Sequence, residues 1–244
     1  MNWTDEIDSY CERTGPGLLA EPWNAVSNVA FLVAGFALWR SLRRVGRPVP
    51  VSLRVLAGLV VVIGVGSGLF HTVATVWAGL ADVLPISAFM VFYLVCYLHW
   101  FWGVRWGWAW WSAPAFVLFS LMVTTLVTVA LGDQRGSAGY VPALAVLAGA
   151  GVALLNSDPW VRRCGYLLVG SAGVFAVSLA LRTLDERVCA ALPVGTHFLW
   201  HVLNAVVLYG VCRALVLRWS RLDGAAPGRG DGPGLPKVDI PRGE

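Results

Sequence analysis

Charge is what this chain has least of. Asp, Glu, Lys and Arg make up 13% of its 244 residues, where a soluble domain carries about 25%. With 57% apolar residues and a mean hydropathy of +0.68, the shortage excludes an ordinary water-soluble domain and points to an integral membrane protein. Lysine is nearly missing, and Lys237 in the carboxy-terminal tail is the only one. A last-helix lysine that would hold retinal as a Schiff base is thereby excluded. No basic patch stands out either, because the arginines lie in short connections and the tail, so nucleic acid is not an expected partner. The first twenty residues are acidic and lack the basic-then-apolar pattern of a signal peptide. Insertion is expected to be directed by the first membrane helix itself.

Long apolar runs are what the chain has instead. Seven segments approach the roughly 20 residues that a helix needs to cross a bilayer: 24–42, 51–71, 83–102, 108–131, 139–155, 163–181 and 196–217. The expected fold is an all-α integral membrane protein, a seven-transmembrane helix bundle. Residues 1–23 form an acidic extracytoplasmic segment, 24–217 the membrane domain, and 218–244 a disordered Gly/Pro-rich cytoplasmic tail. Pro114 and Pro142 fall in first helical turns, where a missing N–H costs little. Trp100, Trp102, Trp106, Trp108, Trp110 and Trp111 crowd one turn and read as an interfacial aromatic belt.

Basic residues set the orientation. With the amino terminus outside, fourteen fall inside: Arg40, Arg43, Arg44, Arg47, Arg54, Arg105, Arg162, Arg163, Arg213, Arg218, Arg221, Arg229, Lys237 and Arg242. Four fall outside, at Arg13, Arg135, Arg182 and Arg187. The chain is expected in the plasma (inner) membrane, amino terminus out and carboxy terminus in.

That topology brings scattered polar residues to one level. His71 ends an outward-running helix, Asp82 and His197 begin inward-running ones, and Ser67 and His201 lie one turn deeper. Ser67 and His71, and His197 and His201, are each spaced i, i+4 on one helical face. Three histidines suit a catalytic zinc, which takes three protein ligands and keeps one position open. His99 sits at the opposite end and is not an expected ligand. Asp82 suits a general base and Ser67 an oxyanion donor. Isolated histidines more often pack than ligate, but ionisable groups within a membrane are costly and signal function. For Ser67 the spacing leaves two readings open, a site residue or part of a Gly66-Ser67-Gly68 close-packing face.

These residues resemble the alkaline ceramidase family of seven-helix membrane hydrolases. The family's Ser-x2-Phe-His motif, followed eleven residues later by an aspartate before Leu-Pro, is matched by Ser67, Phe70, His71, Asp82, Leu84 and Pro85. Its late histidine motif matches His197 and His201, and its Glu-x-Trp-Asn-x-Val-Ser-Asn motif matches Glu21 through Asn28. The resemblance implies zinc on His71, His197 and His201, with Asp82 and Ser67 catalytic. It also implies a calcium site, for which Asp8, Glu12, Glu21 and the Tyr10 carbonyl offer oxygen ligands, with Thr14 where the family has asparagine. An Asp-x3-Cys match at Asp185 and Cys189 implies a Cys11–Cys189 disulfide. Cys96, Cys164 and Cys212 read as small apolar helix residues.

The function so implied is hydrolysis of ceramide or a related N-acyl lipid taken from the bilayer. Two other readings compete. A receptor of the adiponectin-receptor type would use zinc structurally, but such proteins typically have the amino terminus inside. A proton-coupled transporter would use the same Asp and His groups as a relay.

Overall fold

The computed structural model describes residues 2–132 and 136–222, so Arg135 and the tail from residue 223 lie outside the described part. The described residues form helices and turns: α1 (Pro22–Ser27), α2 (Val29–Arg43), α3 (Val51–Val73), α4 (Val76–Trp102), α5 (Trp106–Ala109), α6 (Ser112–Leu131), α7 (Val141–Ala153), α8 (Pro159–Leu184) and α9 (His197–Leu222). Six helical stretches are long and apolar enough to cross a membrane: Pro22–Arg43, Val51–Val73, Val76–Trp102, Trp106–Leu131, Pro159–Arg187 and His197–Leu222. The expected segment 139–155 is a shorter apolar helix, Ser137–Ala153, whose first turn is 3-10. The last helix continues to Leu222, past the expected boundary at 217. Its extra turn is held by Arg218 Nε donating to the Trp100 carbonyl at 3.0 Å and Arg47 Nη2 to the Trp219 carbonyl at 2.9 Å.

Helices α2, α3, α8 and α9 supply much of the core. Leu38, Leu56, Ile63, Leu168, Leu215 and Trp219 are fully buried there. Helix α6 buries only Phe116 and leaves Leu118, Leu121, Leu126 and Val129 exposed. An apolar face of that extent suits lipid as its solvent. The tryptophan turn bears out as an exposed cluster, with Trp108 and Trp111 projecting outward. It shares its end of the bundle with Arg47 and Arg218, away from the histidines.

One junction differs from expectation. The stretch after His71 reads as a connection reaching Asp82, yet α3 and α4 are separated only by Ala74 and Thr75. Asp82 therefore lies in the second turn of α4. Ala74 makes the turn in the left-handed region, φ 49°, a conformation that costs a non-glycine residue roughly 1–2 kcal/mol. The amino-terminal segment holds it there. Ile7 N donates to the Ala74 carbonyl at 2.8 Å, and Val76 N donates to the Asp5 carbonyl at 3.1 Å.

Further along α4, Pro85 has no N–H to give the carbonyl four residues back, that of Ala81. Gly66 of α3 packs directly on this carbonyl, so close that a Cβ there would lie 2.1 Å from the Ala81 oxygen. Proline and glycine together let the two helices touch one residue away from both Ser67 and Asp82.

Candidate metal centre

Two helix ends bring three histidines to the centre. His71 comes from the last turn of α3, while His197 and His201 come from the first two turns of α9. All three are buried. Their ring centroids lie 5.1 Å (His71–His197), 4.7 Å (His71–His201) and 4.6 Å (His197–His201) apart. One nitrogen from each falls within 4.8 Å of the others, a grouping that can hold a metal ion.

The outward nitrogens are anchored. His71 Nδ1 lies 2.6 Å from Glu21 Oε2, and His201 Nδ1 lies 2.8 Å from Ser27 Oγ. Carboxylate and hydroxyl partners of this kind orient metal-binding imidazoles and fix their tautomers. His71 Nε2 and His197 Nδ1 are buried with no protein partner. Unpaired imidazole nitrogens converging in a buried site fit a divalent metal, and a three-histidine set is among those that catalytic zinc uses.

Glu21 is almost fully enclosed, and burial alone would raise its pKa. The His71 hydrogen bond and charge, joined by Arg13 and Asn24, outweigh that and hold the carboxyl below its ordinary 4.5. Tyr10 stacks on His197 with centroids 3.8 Å apart and planes 21° apart. Enclosure raises its hydroxyl pKa, against the lowering effect of Arg182.

Asp185 positions the histidine helix. It is buried, and its Oδ1 accepts from Thr196 N at 2.5 Å and His197 N at 2.8 Å, satisfying N–H groups that a helix start leaves unpaired. Its Oδ2 accepts from Cys11 N at 3.0 Å. Gly195 makes room, since it has φ +68° and a Cβ there would lie 2.2 Å from Asp185 Oδ1. The Cys11–Cys189 disulfide is present beside this carboxylate.

Ser67 and Asp82 complete the centre. Ser67 Oγ is 3.4 Å from His201 Nε2 and lines the same cavity as Asp82, whose Oδ1 is buried without a partner. Ser67, Asp82 and His201 form the polar head of an apolar cavity of about 960 Å³, mouth included, walled by Phe89, Leu147 and Val207 and reaching Tyr97. From Asp82 to Tyr97 the cavity follows α4 for about 22 Å at 1.5 Å per residue.

The structure thus gathers His71, His197, His201, Ser67 and Asp82. Gly66 packs the two helices together, and Ser67 lines the cavity beside His201 and Asp82. His99 lies away from it, with Nδ1 2.9 Å from the Val104 carbonyl. The expected calcium set is not gathered. Asp8 and Thr14 are exposed, the Tyr10 carbonyl accepts Arg13 N at 3.1 Å, and Glu12 accepts Trp23 N and Asn24 N at 2.6 and 2.8 Å. Among the described residues, the histidines form a metal-holding group and these carboxylates do not. The sequence reading missed Ser27 and the true role of Glu21, although both lie in the motif it recognised. It also missed Arg182, which it counted as an outer charge. Arg182 Nη1 donates to Ser137 Oγ at 2.8 Å and its guanidinium lies over Tyr140 and Trp200, between α7 and the histidine helix.

Six long apolar helices mark a multi-pass membrane protein, with a polar group of side chains at one end of an apolar cavity. The ceramidase family model matches residues 9–226, and the chain belongs to the ceramidase family. No curated protein matches it.

Proposed function

We propose that this protein is a zinc-dependent amidase of membrane lipids, cleaving ceramide or a related N-acyl lipid to a free amine and a fatty acid. The observation that carries this reading is the polar head of Ser67, Asp82 and His201 on a long apolar cavity. Such a shape suits a substrate with one polar linkage and long hydrocarbon chains. His71, His197 and His201 would hold the zinc. When bound, the metal supplies Lewis acidity toward an amide carbonyl and acidifies water. Asp82 takes the proton from the attacking water and returns it to the leaving nitrogen as the C–N bond breaks. Ser67 Oγ donates to the oxygen on which negative charge develops. Glu21 and Ser27 keep His71 and His201 in place, and the apolar walls exclude competing water.

In the same reading α7 is the seventh crossing, short enough to ask for a locally thinned bilayer. The arginine-rich end faces the cytoplasm and the metal centre the outer side of the plasma membrane.

The test compares zinc content and cleavage of a fluorescent ceramide panel in wild type, His197→Ala and Asp82→Asn. Wild type should carry about one zinc and cleave the amide. His197→Ala should lose metal, and Asp82→Asn should keep it and lose turnover. Wild type without zinc would sink the proposal in favour of a proton relay. Zinc without turnover on any N-acyl lipid would leave a structural, receptor-like site.

A further inference from the structure

The family resemblance implies calcium near Glu21, and the residues present do not fit it. Calcium takes six to eight oxygen ligands, but Asp8 and Thr14 are exposed and the oxygens of Glu12, Glu21 and the Tyr10 carbonyl are already engaged. Both oxygens of Glu12 accept backbone N–H groups. Glu21 Oε1 accepts Arg13 Nε at 2.6 Å, and Oε2 faces Asn24 Nδ2 at 3.1 Å and His71 Nδ1 at 2.6 Å. The Tyr10 carbonyl accepts Arg13 N. One buried oxygen, Asn24 Oδ1, has no partner, and a single neutral oxygen beside a guanidinium does not make a divalent-cation site.

Arg13 itself is buried to 8% exposure against Glu21 at 1%. A buried arginine in contact with a buried carboxylate is an ion pair with little solvent screening. We propose that Arg13 is the resident cation of this position, so that the amino-terminal segment docks on Glu21 through its own guanidinium and without calcium. The pair occupies the link between that segment and His71. Arg13 is a positioning residue, because it reaches the metal centre only through Glu21.

The test uses the full-length protein, purified with its zinc, and calcium alone as the probe. Calcium is measured by equilibrium dialysis and by its effect on Tm at up to 1 mM free ion. The expected result is no stoichiometric binding and a Tm shift below about 1 °C. A ligand held at 100 times its Kd would shift Tm by several degrees. One calcium per chain, or a shift of that size, overturns the proposal. In parallel, Arg13→Gln should lower Tm by about 6 °C or more, as loss of one partner of a buried pair does. An Arg13→Gln protein as stable as wild type also overturns it. If that variant fails to fold, calcium binding to wild type still decides. Neither measurement reads amide cleavage, so this inference and the proposed activity stand or fall separately.

Discussion

Gly66→Ala is the sharpest perturbation the structure offers. The added Cβ would sit 2.1 Å from the Ala81 oxygen and 2.9 Å from the Ala81 carbonyl carbon. Backbone on both sides leaves no side chain to swing away, so α3 and α4 must part by about 1 Å, at an overpacking cost of roughly 1–3 kcal/mol. Alanine recovers about 0.8–1 kcal/mol in helix propensity over glycine. Net destabilisation is therefore modest, up to about 2 kcal/mol, or a Tm drop of up to about 8 °C. The effect on turnover is larger, because α4 carries Asp82 but none of the three histidines. Zinc should stay bound on α3 and α9 while Asp82 moves away from Ser67. A displacement of about 1 Å at a reacting group costs on the order of a hundredfold in rate. Gly58→Ala in the same helix is the control, since its Cβ would meet nothing within 4 Å. Zinc content, Tm and kcat on a fluorescent ceramide should be measured for both. Wild-type kcat in Gly66→Ala would refute the idea that this contact sets the Ser67–Asp82 geometry.

Other outcomes follow from the same contacts. Glu21→Gln should weaken zinc binding about 10–100-fold in a competition titration, because it removes the anionic partner of His71. Glu21's carboxyl is held below its ordinary 4.5. The stability it contributes is whole above that pH and is lost as pH falls through its native value, which an acid titration of Tm will read. Asp185→Ala should cost about 2 kcal/mol or more by stranding the N–H groups of Thr196, His197 and Cys11, and should lower zinc occupancy with it. Ala74→Gly should relieve the left-handed turn, raising Tm by about 2–4 °C.

Much of the centre was legible because helical spacing is local. The i, i+4 pairs fix which side chains share a face, and arginine placement brought His71 and His197 to one end. What failed to show in the sequence depended on contacts far apart in the chain. The α3–α4 turn reads as a short connection running to Asp82, because nothing near Ala74 marks where one helix stops and the next begins. The stop is imposed by Asp5 and Ile7, whose backbone pairs with it. Segment 139–155 is expected as a crossing helix, and the structure gives a shorter apolar one, Ser137–Ala153, that opens with a 3-10 turn. A carboxylate such as Glu21 ligates metals and accepts hydrogen bonds equally well. Its role is decided by Arg13 and His71, 8 and 50 residues away.

The link between Cys11 and Cys189 divides the chain by order of synthesis. It closes a ring between residues 178 apart in sequence that contains α1 through α8 and leaves out α9. Everything needed for that ring has been made before His197 leaves the ribosome. Glu21, Ser27, Ser67, His71, Asp82 and Asp185 then stand ready, with two of the three histidines still to come. A chain cut short before α9 would keep the disulfide ring and one of the three histidines, and would lose both the metal-holding group and the core residues that α9 supplies, Trp200, Leu215 and Trp219 among them.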